Sequence, residues 1–316
     1  MSDPVPPEPP LILAANARMP SARAQSVQLC RAALALQAAG ADTVVLHAAR
    51  RDTPSARPEE VWSQLTTLPT ASTSGGAAIA PRGGWPGLMA ASCVDWIDRV
   101  PRPLQFLPAR LQEWSFGRSA GRIIRSRFQG ARVLARDLEV AVHLVGRPGV
   151  ALEVHRVPGG RIRRGWLRRC VGAGMPVVAI SGGVREDLEA LGVPADRMTV
   201  EHDAHDPALV DALPDRAAAR ESLGIHPDAG VVLYAGGLLR WKGVDVLVDA
   251  ARQDLLDGAN VLIVGGMEAD IAALRKRASG LASVRILGHR PAHEIPLFLA
   301  AADVGVVPNR RTPRIS

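Results

Sequence analysis

Of the 38 basic residues in this chain only Lys242 and Lys276 are lysines, and Lys242 stands where a cation can do chemistry. Residues 231–251 read VVLYAGGLLRWKGVDVLVDAA. An apolar run ends at Gly236 and Gly237, Arg240 and Lys242 follow, and a stretch with helical spacing begins near Gly243. The first turn of a helix leaves its N–H groups unpaired and carries the positive end of the dipole. An ammonium directly before that turn would converge with those N–H groups on one anion, such as a phosphate. A solvated lysine at a helix start is the alternative. Arg240 could add a bidentate grip on the same anion, or face water. His155 ends the run ALEVH, at the carboxyl end of a strand, where ligand loops of parallel sheets gather. Gly265, Gly266 and Gly288 end later apolar runs, where the backbone must turn or pass close to a ligand. His202, Asp203, His205 and Asp206 have metal-ligand side chains, but neighbours in one loop rarely converge on a tetrahedral ion. No metal site is expected.

The elements that would position these residues alternate strand and helix. The first strand is expected at Leu11–Ala15, ending in the loop Asn16–Pro20, followed by a helix from Ser21 or Ser26 that Gly40 stops and a strand at Thr43–His47. Residues 50–120 are less regular, with short helices near Pro58–Leu65 and Leu104–Phe116 and a surface excursion over Thr66–Gly87. Alternation returns with strands at Ala131–Ala135, Val150–His155 and Val177–Ile180 and a helix from Asp137. Ser181 is placed to cap a further helix that ends at Gly192, with Glu186 and Asp187 in its first turn. Four more strands, at Val231–Tyr234, Val261–Val264, Val284–Leu287 and Val304–Val307, alternate with three helices. The expected organisation is a disordered tail over 1–10, a domain over 11–202, a linker over 203–229 and a second domain over 230–316.

Composition narrows the class. With 47% hydrophobic and 22% charged residues the chain is globular, and no apolar run approaches the roughly 20 residues that cross a bilayer. The three cysteines are far apart and lack a CxxC pair, as isolated thiols in a reducing cytoplasm would be. The net charge of +7 comes from arginines dispersed along the chain without interleaved aromatics, so no nucleic acid is expected. The absence of G-x-G-x-x-G, a P-loop and a G-x-S-x-G elbow argues against nicotinamide and serine-hydrolase chemistry.

GGLLRWKGVDVLVDAA resembles the G-R-L-x-x-x-K-G segment of the retaining family-four glycosyltransferases, with Gly237 where that family has arginine. LEVHRVP resembles their E-x-H segment. VVAISGGVREDLEALGVPADRMTVEHDAHDP is similar to their "ISxxxxxxL…G" stretch and hinge loop, and IVGG, RILGH and VVPN match their later strand ends. The resemblance implies an α/β chain of GT-B fold, with two Rossmann-like domains, the second incomplete. It implies transfer of a sugar, with retention, from a nucleotide-sugar donor to a glycan or lipid-linked acceptor, without cofactor or metal. Lys242, Arg240, Gly236 and Gly237 would hold the donor diphosphate, Gly265, Gly266 and Gly288 the nucleotide. His155 would contact the transferred sugar, with Asn16, Arg18 and Asn309 on the sugar and acceptor side. The family's next element carries an E-x7-E pair, which this sequence does not contain after Asn309. The expectation is therefore a truncated glycosyltransferase, the alternative a non-catalytic fragment with at most weak nucleotide binding. A cytoplasmic protein is expected, with the arginine-rich run Arg161–Arg169 offering peripheral contact with the inner face of the membrane.

Overall fold

The computed structural model describes residues 9–19, 21, 24–51, 62, 84–101, 104–204, 213–291 and 294–310. The tail, the helix expected near 58–65, most of the 66–87 excursion and His205 and Asp206 lie outside these residues. The described residues divide into two compact units, one ending at Ala204, the other beginning after it.

The first unit is built on seven strands: β1 (Leu11–Ala15), β2 (Thr43–Ala49), β3 (Gly87–Ser92), β4 (Arg132–Ala135), β5 (Val150–Val154), β6 (Val177–Ala179) and β7 (Met198–Val200). They pair in the order β3-β2-β1-β4-β5-β6-β7, every pair parallel. The connecting helices are α1 (Ala24–Ala38), α2 (Phe106–Arg127), α3 (Leu138–His143), α4 (Arg161–Gly172) and α5 (Gly182–Ala190). Both faces of the sheet are covered, as the continuous apolar strands require. Along β1, Ile12 and Ala14 enter one core with Phe116 and Ile124 of α2, while Leu13 and Ala15 enter a second with Leu29 and Cys30 of α1.

Three features of this unit differ from the sequence expectation. Helix α2 runs to Arg127 rather than stopping near Phe116, because Gly117 and Gly121 are packing residues and not helix stops. A Cβ at Gly117 would lie 2.3 Å from the Glu139 carbonyl oxygen, so α2 can approach α3 this closely only without a side chain. Strand β3, GLMAAS, falls where irregular chain was expected; its small residues carry no strand signal, and it is held by parallel pairing to β2. Ser181 caps α5 by accepting from the Val184 N–H at 3.2 Å. Glu186 and Asp187, however, sit beyond that helix's first turn.

The second unit has a four-stranded parallel sheet in the order β10-β9-β8-β11, from β8 (Val231–Ala235), β9 (Asn260–Val264), β10 (Val284–Gly288) and β11 (Val304–Gly305). Its helices are α6 (Arg216–Ser222), α7 (Val244–Arg252), α8 (Glu268–Arg277) and α9 (Ile295–Ala301). Residues 203–229, expected as linker, thus contain helix α6. Asp215 caps it, and Ile225 behind it enters a core with Leu233, Leu262 and Phe298.

Candidate active-site residues

A parallel sheet offers its ligand crevice at the carboxyl ends of the strands where the order of connection reverses. In the first sheet that point lies between β1 and β4, and in the second between β8 and β11. Of the residues singled out from sequence, Asn16 and Arg18 follow β1 at the first point, Gly236, Gly237, Arg240, Lys242 and Asn309 follow β8 and β11 at the second, and His155, Gly265, Gly266 and Gly288 lie at the ends of β5, β9 and β10.

At the first, Asn16 follows β1. Its N–H donates to Asp137 Oδ2 at 2.5 Å, and its amide exchanges two hydrogen bonds with Gln112, at 3.1 and 2.8 Å. Arg50 donates to its Oδ1 at 3.3 Å and pairs with Asp95 at 3.3 Å. The Asn16 side chain is therefore committed to holding the loop. Burial pushes the Asp137 carboxyl up, opposed by the Asn16 N–H. The Arg18 carbonyl accepts from Ser26 Oγ at 2.7 Å, which ties the same loop to α1.

His155 follows β5. Its Nε2 lies 2.6 Å from Arg136 Nη2 and against Glu153 Oε1, and Arg136 Nε lies 2.9 Å from that carboxylate oxygen. Burial alone would raise the Glu153 carboxyl, but the His155 hydrogen bond and the Arg136 charge outweigh it and hold the group below its ordinary value. Nε2 either donates to the ionised Glu153, leaving Nδ1 as acceptor, or accepts from Arg136, leaving Nδ1–H as donor. Arg136 also donates to Gln28 Oε1 at 3.0 Å, and Gln28 Nε2 donates to Asp203. The Arg136 side chain is 6% exposed, and its Nη1 has no hydrogen-bond partner among the described residues. Sequence reasoning selected His155 but missed Arg136, Glu153 and Gln28, and weighed Asp203 only as a metal ligand. Glu153 stood in the quoted E-x-H segment and could have been found there.

At the second switch point the loop after β8 runs through Gly236 and Gly237 into a single turn of tighter helix at Arg240–Lys242. Gly243, left-handed at φ 66°, starts α7. A Cβ at Gly243 would lie 2.0 Å from the carbonyl oxygen of Pro308, in the segment after β11. That segment is fastened by the Arg310 N–H donating to Trp241 O at 2.8 Å and by the Arg310–Asp245 pair at 2.5 Å. The Lys242 ammonium sits 4.3 Å from the Trp241 ring centre. Among the described residues neither Lys242 nor Arg240 has a carboxylate partner, so two cations stand uncompensated at the start of α7. Asn309 is exposed beside Pro308.

Gly265, Gly266 and Gly288 close the neighbouring strands. Gly265 N donates to Gly288 O at 2.7 Å, and a Cβ at Gly265 would lie 2.2 Å from Gly236 O. Gly265 lets the loops after β8 and β9 pack backbone on backbone, while a Cβ at Gly266 would meet the Leu238 side chain at 2.5 Å. Among the described residues no group of three or more His, Cys, Asp or Glu is placed to hold a metal ion. Cys30 and Cys170 are buried free thiols, pushed up by burial to about 12 and about 11.

Two parallel sheets, each with helices on both faces, define the fold as GT-B. The UDP complex of HepE from Anabaena superposes over 95% of this chain and 74% of its own with a TM-score of 0.62 at 17% identity. Sucrose-phosphate synthase from Thermosynechococcus elongatus superposes over 97% and 77% with a TM-score of 0.68 at 16% identity. Residues 229–315 match the family described as Glycosyl transferases group 1. D-inositol 3-phosphate glycosyltransferase 1 of Catenulispora acidiphila is 38% identical over 109 residues, 30% of this chain and 26% of that protein. The chain thus matches about a quarter of the length of this curated relative.

Proposed function

We propose that this protein is a glycosyltransferase that takes a sugar from a nucleotide-sugar donor and passes it, with retention, to a glycan or lipid-linked acceptor. The observation that carries the reading is the pair of uncompensated cations, Arg240 and Lys242, at the start of α7 and at the switch point of a group 1 glycosyltransferase domain. In the reaction the acceptor oxygen bonds to the anomeric carbon while the bond to the diphosphate oxygen breaks. The acceptor proton leaves with the diphosphate. Negative charge grows on phosphate oxygens, and fixed cations and helix N–H groups stabilise that change most when they are already in place. Gly236, Gly237, Gly265, Gly266 and Gly288 give the donor's phosphates and nucleoside close access to backbone. The UDP bound by the Anabaena structural neighbour supports a nucleoside diphosphate as the ligand.

His155 takes the role its resemblance gives it, contact with the transferred sugar, with Glu153 and Arg136 fixing the ring. Asn16 and Arg18 shape the acceptor-side loop, and Asn309 stands near the sugar end of the donor. Calorimetric titration with UDP, GDP and ADP, followed by assay of diphosphate release from the matching nucleotide sugars, tests this. Binding of one diphosphate that Lys242→Ala weakens about 10- to 100-fold is expected. Failure of all three to bind the wild-type chain would sink the reading.

A further inference from the structure

Helices α2 and α4 together carry ten arginines against the single carboxylate of Glu113, although the whole chain has a net charge of only +7. Positive charge is therefore concentrated on one part of the first unit, and the remainder is slightly acidic. Helix α3 packs against both α2 and α4, and Arg163 of α4 is tied to Glu139 of α3 at 3.1 Å. The three helices share one side of the sheet.

The outward stripe of α2 is divided along its length. At 100° per residue Leu107, Leu111, Trp114, Arg118, Arg122 and Arg125 fall on one line. Leu107 is 61% exposed, Leu111 38% and Trp114 39%, and the three arginines are exposed as well. The arginines line a groove of about 450 Å³ with Ser126 and His143, floored by Gly121. Arg169 of α4 also acts on His143: burial, together with the charges of Arg118, Arg169 and Arg125, holds its imidazole below the ordinary value, and its Nε2 has no hydrogen-bond partner.

The arginine run Arg161–Arg169 does not by itself form a membrane face. Leu167 is buried in the core and Trp166 packs against it, so α4 contributes charge but, apart from exposed Ile162, little insertable surface. Helix α2 supplies that surface. We infer that the outward stripe of α2 docks this protein on an anionic lipid bilayer, with Leu107, Leu111 and Trp114 in the interface and Arg118 and Arg122 on lipid phosphates. Exposed apolar side chains continuous with a cationic groove match a surface offering acyl chains and phosphates together. A nucleic acid offers the phosphates but nothing for the three apolar side chains to enter.

The test is co-sedimentation of the full chain with vesicles of phosphatidylcholine alone and of phosphatidylcholine mixed with phosphatidylglycerol. Binding to the mixed vesicles only, weakening as salt rises, is expected. Arg118→Gln/Arg122→Gln should lower the partition coefficient about 25-fold, about fivefold for each charge removed. Leu107→Ser/Leu111→Ser should lower it with an unchanged unfolding midpoint, while Lys276→Gln, on the second unit, leaves it unaltered. Equal binding to phosphatidylcholine, a double-arginine variant that partitions like wild type, or tight duplex-DNA binding with vesicles untouched would each overturn the inference. None of these outcomes depends on glycosyl transfer.

Discussion

Replacing Glu153 by Gln keeps the shape of the side chain and removes its charge. The partner is Arg136, 6% exposed and 2.9 Å from the carboxylate, with Nη1 already lacking a hydrogen-bond partner. Removing one member of a buried pair costs about 3–5 kcal/mol when the other is stranded. Gln28 and the new amide oxygen can still accept from the guanidinium, which brings the expected loss to about 2–3 kcal/mol. For a unit of this size that is a fall in midpoint of about 4–12 °C. Tryptophan fluorescence follows it selectively, because five of the six tryptophans lie in the first unit and only Trp241 in the second. The pH dependence supplies a second check. The folded Glu153 carboxyl lies below its ordinary value, so its contribution is complete above the unfolded pKa of about 4.3 and is lost as pH falls through the folded value. The gap between wild type and Glu153→Gln should be full at neutral pH and close in the acid range. Equal stability at neutral pH, or a gap that stays constant into that range, would refute the pairing argument.

Lys242→Ala should weaken binding of a nucleoside diphosphate by about 10- to 100-fold, the worth of one charge-assisted hydrogen bond to phosphate, with nucleoside affected little; paired titrations read both. Gly243→Ala places a methyl group 2.0 Å from Pro308 O in a left-handed backbone. The second unit should lose about 1–3 kcal/mol, seen as an earlier urea transition in Trp241 fluorescence. Cys30 and Cys170, buried with thiols raised to about 12 and about 11, should resist a thiol reagent at neutral pH until the chain unfolds, while half-buried Cys93 reacts first; mass spectrometry of partially labelled protein gives the order.

Legibility followed the range of the interactions. Strands β1, β2, β8, β9 and β10 announce themselves as apolar runs closed by Gly or polar residues, and the Lys242 loop lies within a dozen residues of its own strand and helix. Strand β3 has no such run, and α2 is interrupted by the two glycines that let it meet α3. The surroundings of His155 were hidden for another reason: Gln28 and Asp203 meet across 175 positions of sequence. The carboxylate and arginine that orient the ring become partners only when β4 and β5 lie side by side.

The seating of Pro308 over Gly243 has a use beyond stability. Because Arg310 is fastened to both Trp241 and Asp245, the stretch after β11 and the lysine-bearing turn cannot shift independently. A fluorophore attached at the exposed Asn309 should respond to an anion binding at the proposed Lys242 site. A sensor for nucleoside diphosphates could be built on that linkage.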